Sequence, residues 1–368
     1  MKFDPFLHPD FYPDFRRAPF TIYDAGAAGG IYPLFPSAGT DLWRAHGFEP
    51  MPTSYTKLAQ QYRNSGHVSV HEIALSDRQG ETPFRVFRGI ATGSSLNANH
   101  LIYEDGTADY DEIQVRCELL DAFCAQPGMS APDFLKLDTE GSELPVLKGG
   151  SSVLATSCLG VVSEIKFLPF SPNTTVFADL DSFLRQSGFV LFDIQTARTT
   201  RAVGRRFGGK KGAIDSAYVL YFRDFYALYA AHLATNPDLA RSKLLKLLAL
   251  MSRFLYLDYA AELVDFGREK DLLDKAEARQ LLKIFCGVAD VSWRIPDFPG
   301  KSKLALLFDY ISYILQPEMK LAIPPMFNNL GNRRSALMRQ PVPQDARLLY
   351  PMRCFTAPDK TDLKFTTD

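Results

Sequence analysis

The densest concentration of chemically capable residues in this chain is Asp133-Phe134-Leu135-Lys136-Leu137-Asp138-Thr139-Glu140-Gly141-Ser142-Glu143, with Leu147-Lys148-Gly149-Gly150 directly after. An apolar run ends there in three carboxylates, Asp138, Glu140 and Glu143. Grouped carboxylates can coordinate a hard divalent cation, act as a general base, or cap the helix that the pattern starts near Ser142. We assign chemistry to Asp138 and Glu140, and capping or packing to Glu143. The next apolar run ends in Ser163-Glu164-Ile165-Lys166, which brings Glu164 to the same edge of the expected sheet. A divalent metal, if one is held, would take Asp138, Glu140 and Glu164 as ligands. The same three groups would serve equally well to hydrogen bond hydroxyls.

Upstream, a β-rich run leads into Asp24-Ala25-Gly26-Ala27-Ala28-Gly29-Gly30. Small residues let a strand turn sharply into a helix and let the backbone approach a ligand, so Asp24, Gly26, Ala28 and Gly30 are expected to face a small-molecule cofactor. A tight turn without a ligand is the other reading of the glycines alone. The spacing is not the G-x-G-x-x-G of dinucleotide binding, because Ile31 stands where a pattern begun at Gly26 needs its last glycine. Further on, Gly47-Phe48-Glu49-Pro50 puts Glu49 at a strand end, with a helix expected from about Thr53. A carboxylate there can accept hydrogen bonds from both ribose hydroxyls of an adenosine. His46, His67 and His71 read as packed strand histidines, since two histidines without a third placed ligand make a poor metal site.

These groups need a frame. From Phe20 to Phe222 short β-rich runs alternate with helical periodicity, the pattern of βαβ units around a mainly parallel, doubly wound α/β sheet. Seven main strands are expected, at 20–24, 42–48, 68–75, 134–137, 160–165, 189–194 and 217–222. Shorter extended pieces fall at 83–87 and 112–116. The intervening loop 88–111, rich in Gly, Ser, Asn and Asp, suits an active-site cover. From Phe225 the apolar spacing turns helical, and seven prolines from Pro317 to Pro358 predict an irregular tail. The expected organisation is therefore an extension at 1–19, a catalytic domain at 20–223, a helical region at 224–316 and the tail at 317–368. The helical region would supply an acceptor wall or a homo-oligomer contact.

Composition limits the partners. In 368 residues, 41 basic and 42 acidic side chains leave a formal charge of -1, so no global field draws nucleic acid or an anionic membrane. No apolar stretch reaches the roughly 20 residues of a membrane span. Five scattered cysteines without a C-x-x-C pair, and no secretory pattern near residue 1, lead us to expect a reducing, cytoplasmic setting. One local charge run stands out: Arg198, Arg201, Arg205, Arg206, Lys210 and Lys211, with no acid between them. It reads either as a solvated connection or as a basic loop over the acceptor pocket. In the second case Arg201, Arg205 and Arg206 would favour an anionic acceptor.

Three of these pieces together resemble the FkbM methyltransferase family. The aspartate-x-glycine-alanine turn stands at Asp24 to Gly30, the FEP strand end at Phe48 to Pro50, and the KxDxEGxE…LKG block at Lys136 to Gly150. Weaker matching pieces are Ala74-Leu75-Ser76-Asp77 with Gly80, Ser94-Ser95, and Leu120-Asp121. The resemblance covers about residues 20 to 222. It implies a seven-stranded, Rossmann-like class I methyltransferase sheet, S-adenosylmethionine as donor, and O-methylation of a hydroxyl on a sugar, glycan or secondary metabolite. It would place Ala74, Leu75 and Ser76 with the cofactor, together with Asp138, and Ser94 and Ser95 with the acceptor. Two alternatives stay open: an NAD(P)-dependent oxidoreductase, and a non-catalytic binding module on the same fold.

Overall fold

A computed structural model of the chain describes residues 11–35, 40–87, 110–167, 175–199, 213–289 and four positions between 300 and 307. Its contacts divide it into two compact units, residues 6–250 and residues 1–5 with 251–368. In the first unit a seven-stranded sheet is built from β1 (Phe20–Ala25), β2 (Trp43–Phe48), β3 (Val68–His71), β7 (Phe134–Leu137), β8 (Gly160–Lys166), β9 (Phe189–Thr199) and β10 (Ala213–Arg223). Its order is β3-β2-β1-β7-β8-β10-β9. All neighbours from β3 to β8 pair parallel, and β10 alone runs antiparallel to both β8 and β9. A smaller sheet, order β4-β6-β5, holds β4 (Ala74–Ser76), β5 (Gly80–Phe87) and β6 (Tyr110–Leu119).

The central strands read apolar on both faces because both faces are covered: every residue of β1 and of β7 is buried. Tyr23, Ala25, Leu135, Leu137, Val161, Ile165, Val219 and Tyr221 pack with Val146 and Leu147 of the helix Glu143–Gly149 and with Leu180 and Leu184 of Phe177–Gln186. Residues of the opposite parity, Phe20, Ile22, Phe134, Val162, Leu220 and Phe222, are equally buried. The parallel strands share one carboxyl edge, and the direction of the order reverses between β1 and β7, the place where open α/β sheets bind ligands.

Two local expectations give way. The run 68–75 is not one strand, because the chain breaks at Glu72-Ile73 and sends β3 and β4 into different sheets. Continuous apolar character cannot mark such a break. Nor does the glycine turn open a helix: described residues 26–35 form a turn and irregular chain. The outer strands are longer than their apolar cores, since β9 and β10 extend as a hairpin whose paired ends carry polar residues. Further along the chain, the helix Pro237–Phe254 is followed by Leu257–Glu269 and Lys275–Ala289, the last two packed together. No helix among the described residues is long and apolar enough to cross a membrane.

Candidate functional site

Asp138 is the first residue beyond β7 and Glu164 lies near the end of β8, so two neighbouring parallel strands deliver them to one edge. Glu140 follows in the turn. Ligand oxygens of Asp138, Glu140 and Glu164 lie within 4.8 Å of one another. Two ammonium groups already stand among them. Lys166 Nζ is 2.7 Å from Glu164 Oε1 and 3.8 Å from Glu140 Oε2, and Lys136 Nζ is 3.7 Å from Asp138 Oδ2. Burial pushes Glu164 up to about 8, since desolvation and the Asp138 and Glu140 charges outweigh Lys166. Burial also raises Glu140, against the pull of Lys166.

The turn carrying Glu140 is held under strain. Glu140 has φ 54°, in the left-handed region that a residue with a Cβ rarely adopts, and Gly141 follows at φ 102°. Glu143 braces both: its buried Oε1 accepts from Thr139 N at 2.9 Å, Thr139 Oγ1 at 3.0 Å and Gly141 N at 3.1 Å. The capping or packing role expected of Glu143 takes this form.

Asp24 and Lys136 are register partners across β1 and β7, which explains the buried pair between Lys136 Nζ and Asp24 Oδ1 at 2.9 Å. The same ammonium donates to Gly26 O at 2.8 Å, and Asp24 Oδ2 accepts from Tyr32 N at 2.7 Å. Asp24 is fully buried and thereby secures the turn from beneath. Gly26, at φ 81°, lies against the backbone of the next loop: a Cβ there would come 1.9 Å from Asp138 O. Gly30, at φ 115°, is excluded from other residue types by its backbone, whereas a Cβ on Gly29 would meet open space. Ala28 and Gly29 form the exposed lip of the turn.

Glu49 is buried at the end of β2 with one oxygen, Oε1, accepting from Met51 N at 2.9 Å. Its other oxygen accepts no hydrogen bond from the described residues. Burial raises its pKa, with Met51 N–H and Lys136 opposing. A half-satisfied buried carboxylate beside an open glycine lip has the donor and acceptor chemistry that a ribose diol and an adenosine would meet, so these residues fit the expected cofactor. Ala74, Leu75 and Ser76 are buried in β4, where Gly149 packs against Ser76: a Cβ on that glycine would come 2.0 Å from Ser76 O. Ser94, Ser95, Arg201, Arg205 and Arg206 lie outside the described residues.

Sequence reasoning missed two participants. Lys136 sits mid-strand in an apolar run, and only its register opposite Asp24 shows that it compensates carboxylates. Tyr218, in β10, donates from its hydroxyl to Asp138 Oδ2 at 3.1 Å. No spacing rule links residues 80 positions apart on strands of opposite direction. The histidines are packed: His46 Nδ1 is 3.1 Å from His71 Nε2, and both rings contact Phe123.

The sheet order and its single antiparallel strand define a class I methyltransferase fold of the Rossmann-like kind. Residues 24–191 match the model of the methyltransferase FkbM domain. The chain is 25% identical over 115 residues to 2-O-methyltransferase NoeI of Sinorhizobium fredii (strain NBRC 101917 / NGR234), covering 29% of this chain and 47% of that protein. It is 24% identical over 164 residues to Methyltransferase 1 of Beauveria bassiana (strain ARSEF 2860), covering 39% and 66%. The matches thus span between about half and two thirds of these relatives' lengths. Among solved structures, methyltransferase FkbM from Methylobacillus flagellatus KT aligns at 16% identity and a TM-score of 0.31, over 58% of this chain and 50% of that one.

Proposed function

We propose that this chain is an S-adenosylmethionine-dependent O-methyltransferase acting on a hydroxyl of a sugar, glycan or secondary metabolite. The observation that carries the reading is the convergence of Asp138, Glu140 and Glu164 at the same sheet edge as Glu49 and the glycine lip. When bound, the donor supplies a methyl group on a sulfonium for one in-line displacement. Glu49 would take the ribose hydroxyls, and the turn from Gly26 to Gly30 would lie against the donor. Asp138, with Glu140 and Glu164 beside it, would orient the acceptor hydroxyl and take its proton as the new bond forms.

Lys136 and Lys166 already supply positive charge inside the carboxylate group, which favours proton transfer over metal coordination as its task. An anionic acceptor is the further part of the proposal. The strand β9 runs parallel to β8, so its exit toward Arg201, Arg205 and Arg206 is at the carboxyl edge.

Calorimetry on the full chain tests the donor. S-adenosylmethionine should bind while NADH does not, and Glu49→Ala should weaken binding by about 1.5–3 kcal/mol for each charged hydrogen bond lost. Equal affinity in the variant would remove Glu49 from the donor site, and binding of NADH alone would favour the oxidoreductase. Transfer of labelled methyl to a panel of neutral and phosphorylated sugars tests the reaction. Asp138→Asn should slow it about 100-fold at unchanged donor affinity. A chelator should leave the rate intact; loss restored by magnesium would reassign the carboxylates to a metal.

A further inference from the structure

Asp138, Glu164 and Tyr218 form a row across three adjacent strands. Leu137 is the register partner of Ser163 across β7 and β8, so Asp138 stands level with Glu164, and Glu164 is the register partner of Tyr218 across β8 and β10. From the far strand Tyr218 reaches over Glu164 and donates its hydroxyl to Asp138 Oδ2 at 3.1 Å. Lys136 Nζ approaches the same oxygen at 3.7 Å. Both interactions fall on Oδ2, and among the described residues no hydrogen bond is made to Oδ1. The Asp138 side chain is 25% exposed, so the carboxylate is not sealed from a ligand.

We infer that Tyr218 is a positioning residue for methyl transfer, fixing Asp138 through Oδ2 so that Oδ1 is presented to the acceptor hydroxyl. The inference rests on the proposed reaction and deepens it. A carboxylate free to rotate would exchange its two oxygens between Lys136 and the acceptor. Anchored by a hydroxyl on one side and an ammonium on the other, it presents one oxygen in one direction. Burial, and then the Asp138 and Glu164 charges, raise the pKa of Tyr218, which keeps the phenol un-ionised and able to donate. β10 is the single antiparallel strand of the sheet, and Tyr218 meets the carboxylates from the middle of that strand.

The test is a double-mutant cycle in the full chain, using S-adenosylmethionine and the best acceptor from the sugar panel. Tyr218→Phe keeps the ring and removes only the donor. It should lower kcat about tenfold, leave donor affinity within about twofold, and cost nothing further in an Asp138→Asn background. A residue acting only through packing would lower the melting temperature, and its effect on rate would multiply with that of Asp138→Asn. Either that multiplication or an unchanged kcat overturns the inference. If Tyr218→Phe fails to bind the donor, Tyr218→Met, which keeps an apolar side chain without the hydroxyl, carries the same comparison. A wild-type chain that binds no S-adenosylmethionine fails the proposed reaction itself, a result distinct from additivity in the cycle.

Discussion

Glu164 keeps a raised pKa of about 8 even with Lys166 at 2.7 Å, because burial and two neighbouring carboxylates act against the lysine. A group held this way carries its proton through neutrality and releases it on the alkaline side. If the three carboxylates accept the hydroxyl proton together, the rate should rise with pH through about 8, since the acid form cannot accept. The raised group is Glu164, so Glu164→Gln should displace or remove that limb while Asp138 still supports residual turnover. A flat rate profile from about pH 6.5 to 9.5 in the wild type would sink the assignment.

The turn after β1 was legible as a sharp glycine turn from Gly26 and Gly30, but its construction was not. Its glycines answer to backbone approach: Gly26 meets Asp138 O, an atom 112 residues away in sequence, and no local pattern records such a contact. Gly26→Ala should therefore displace the Asp138 loop and destabilise the fold by more than the roughly 1–3 kcal/mol of backbone strain alone. Gly29→Ala, whose Cβ would enter open space, should melt as the wild type does. Thermal unfolding of the two variants checks the contrast, and equal melting temperatures would show that the turn relaxes. The parallel core was readable strand by strand, because β1, β7 and β8 are buried on both faces and are apolar throughout apart from a few paired polar residues. The break between β3 and β4 was not, because both sides of it are equally apolar. The carboxylates were found by type and spacing. Lys136 and Tyr218 act through register, which exists only once strands are paired.

At the opposite edge of the same sheet lies a second charged group, remote from the chemistry. Asp133, fully buried ahead of β7, accepts from Lys243 Nζ at 2.7 Å, Lys246 Nζ at 2.8 Å and Thr21 N at 2.9 Å. Lys243 also donates to Ser157 O, and Lys246 to Pro19 O. This binds residues 237–250 of the helix Pro237–Phe254 to the sheet, within the unit of residues 6–250. Burial alone would raise Asp133, but the two ammoniums hold it below its ordinary value. Burial lowers Lys246; with three donors around the carboxylate, the charged form is the one that stands. Asp133→Ala should cost about 3–5 kcal/mol, because it leaves two buried ammoniums without their carboxylate. The wild type's stability from this group is present above the ordinary carboxylate range and lost as pH falls through the depressed folded value. Denaturant unfolding at neutral pH measures the first. A loss under about 1 kcal/mol would mean that water reaches the lysines.

The reversed strand β10 has a consequence in time. Synthesis proceeds from the amino end and domains fold as units, so Asp138 and Glu164 emerge before the residue that we infer orients Asp138. Tyr218 follows Asp138 by 80 residues and meets it only after the hairpin of β9 and β10 has folded back beside β8. A nascent chain could thus display every acid of the site while lacking the means to aim one. On this reading an aimed Asp138 waits for the last two strands of the sheet to emerge and pair.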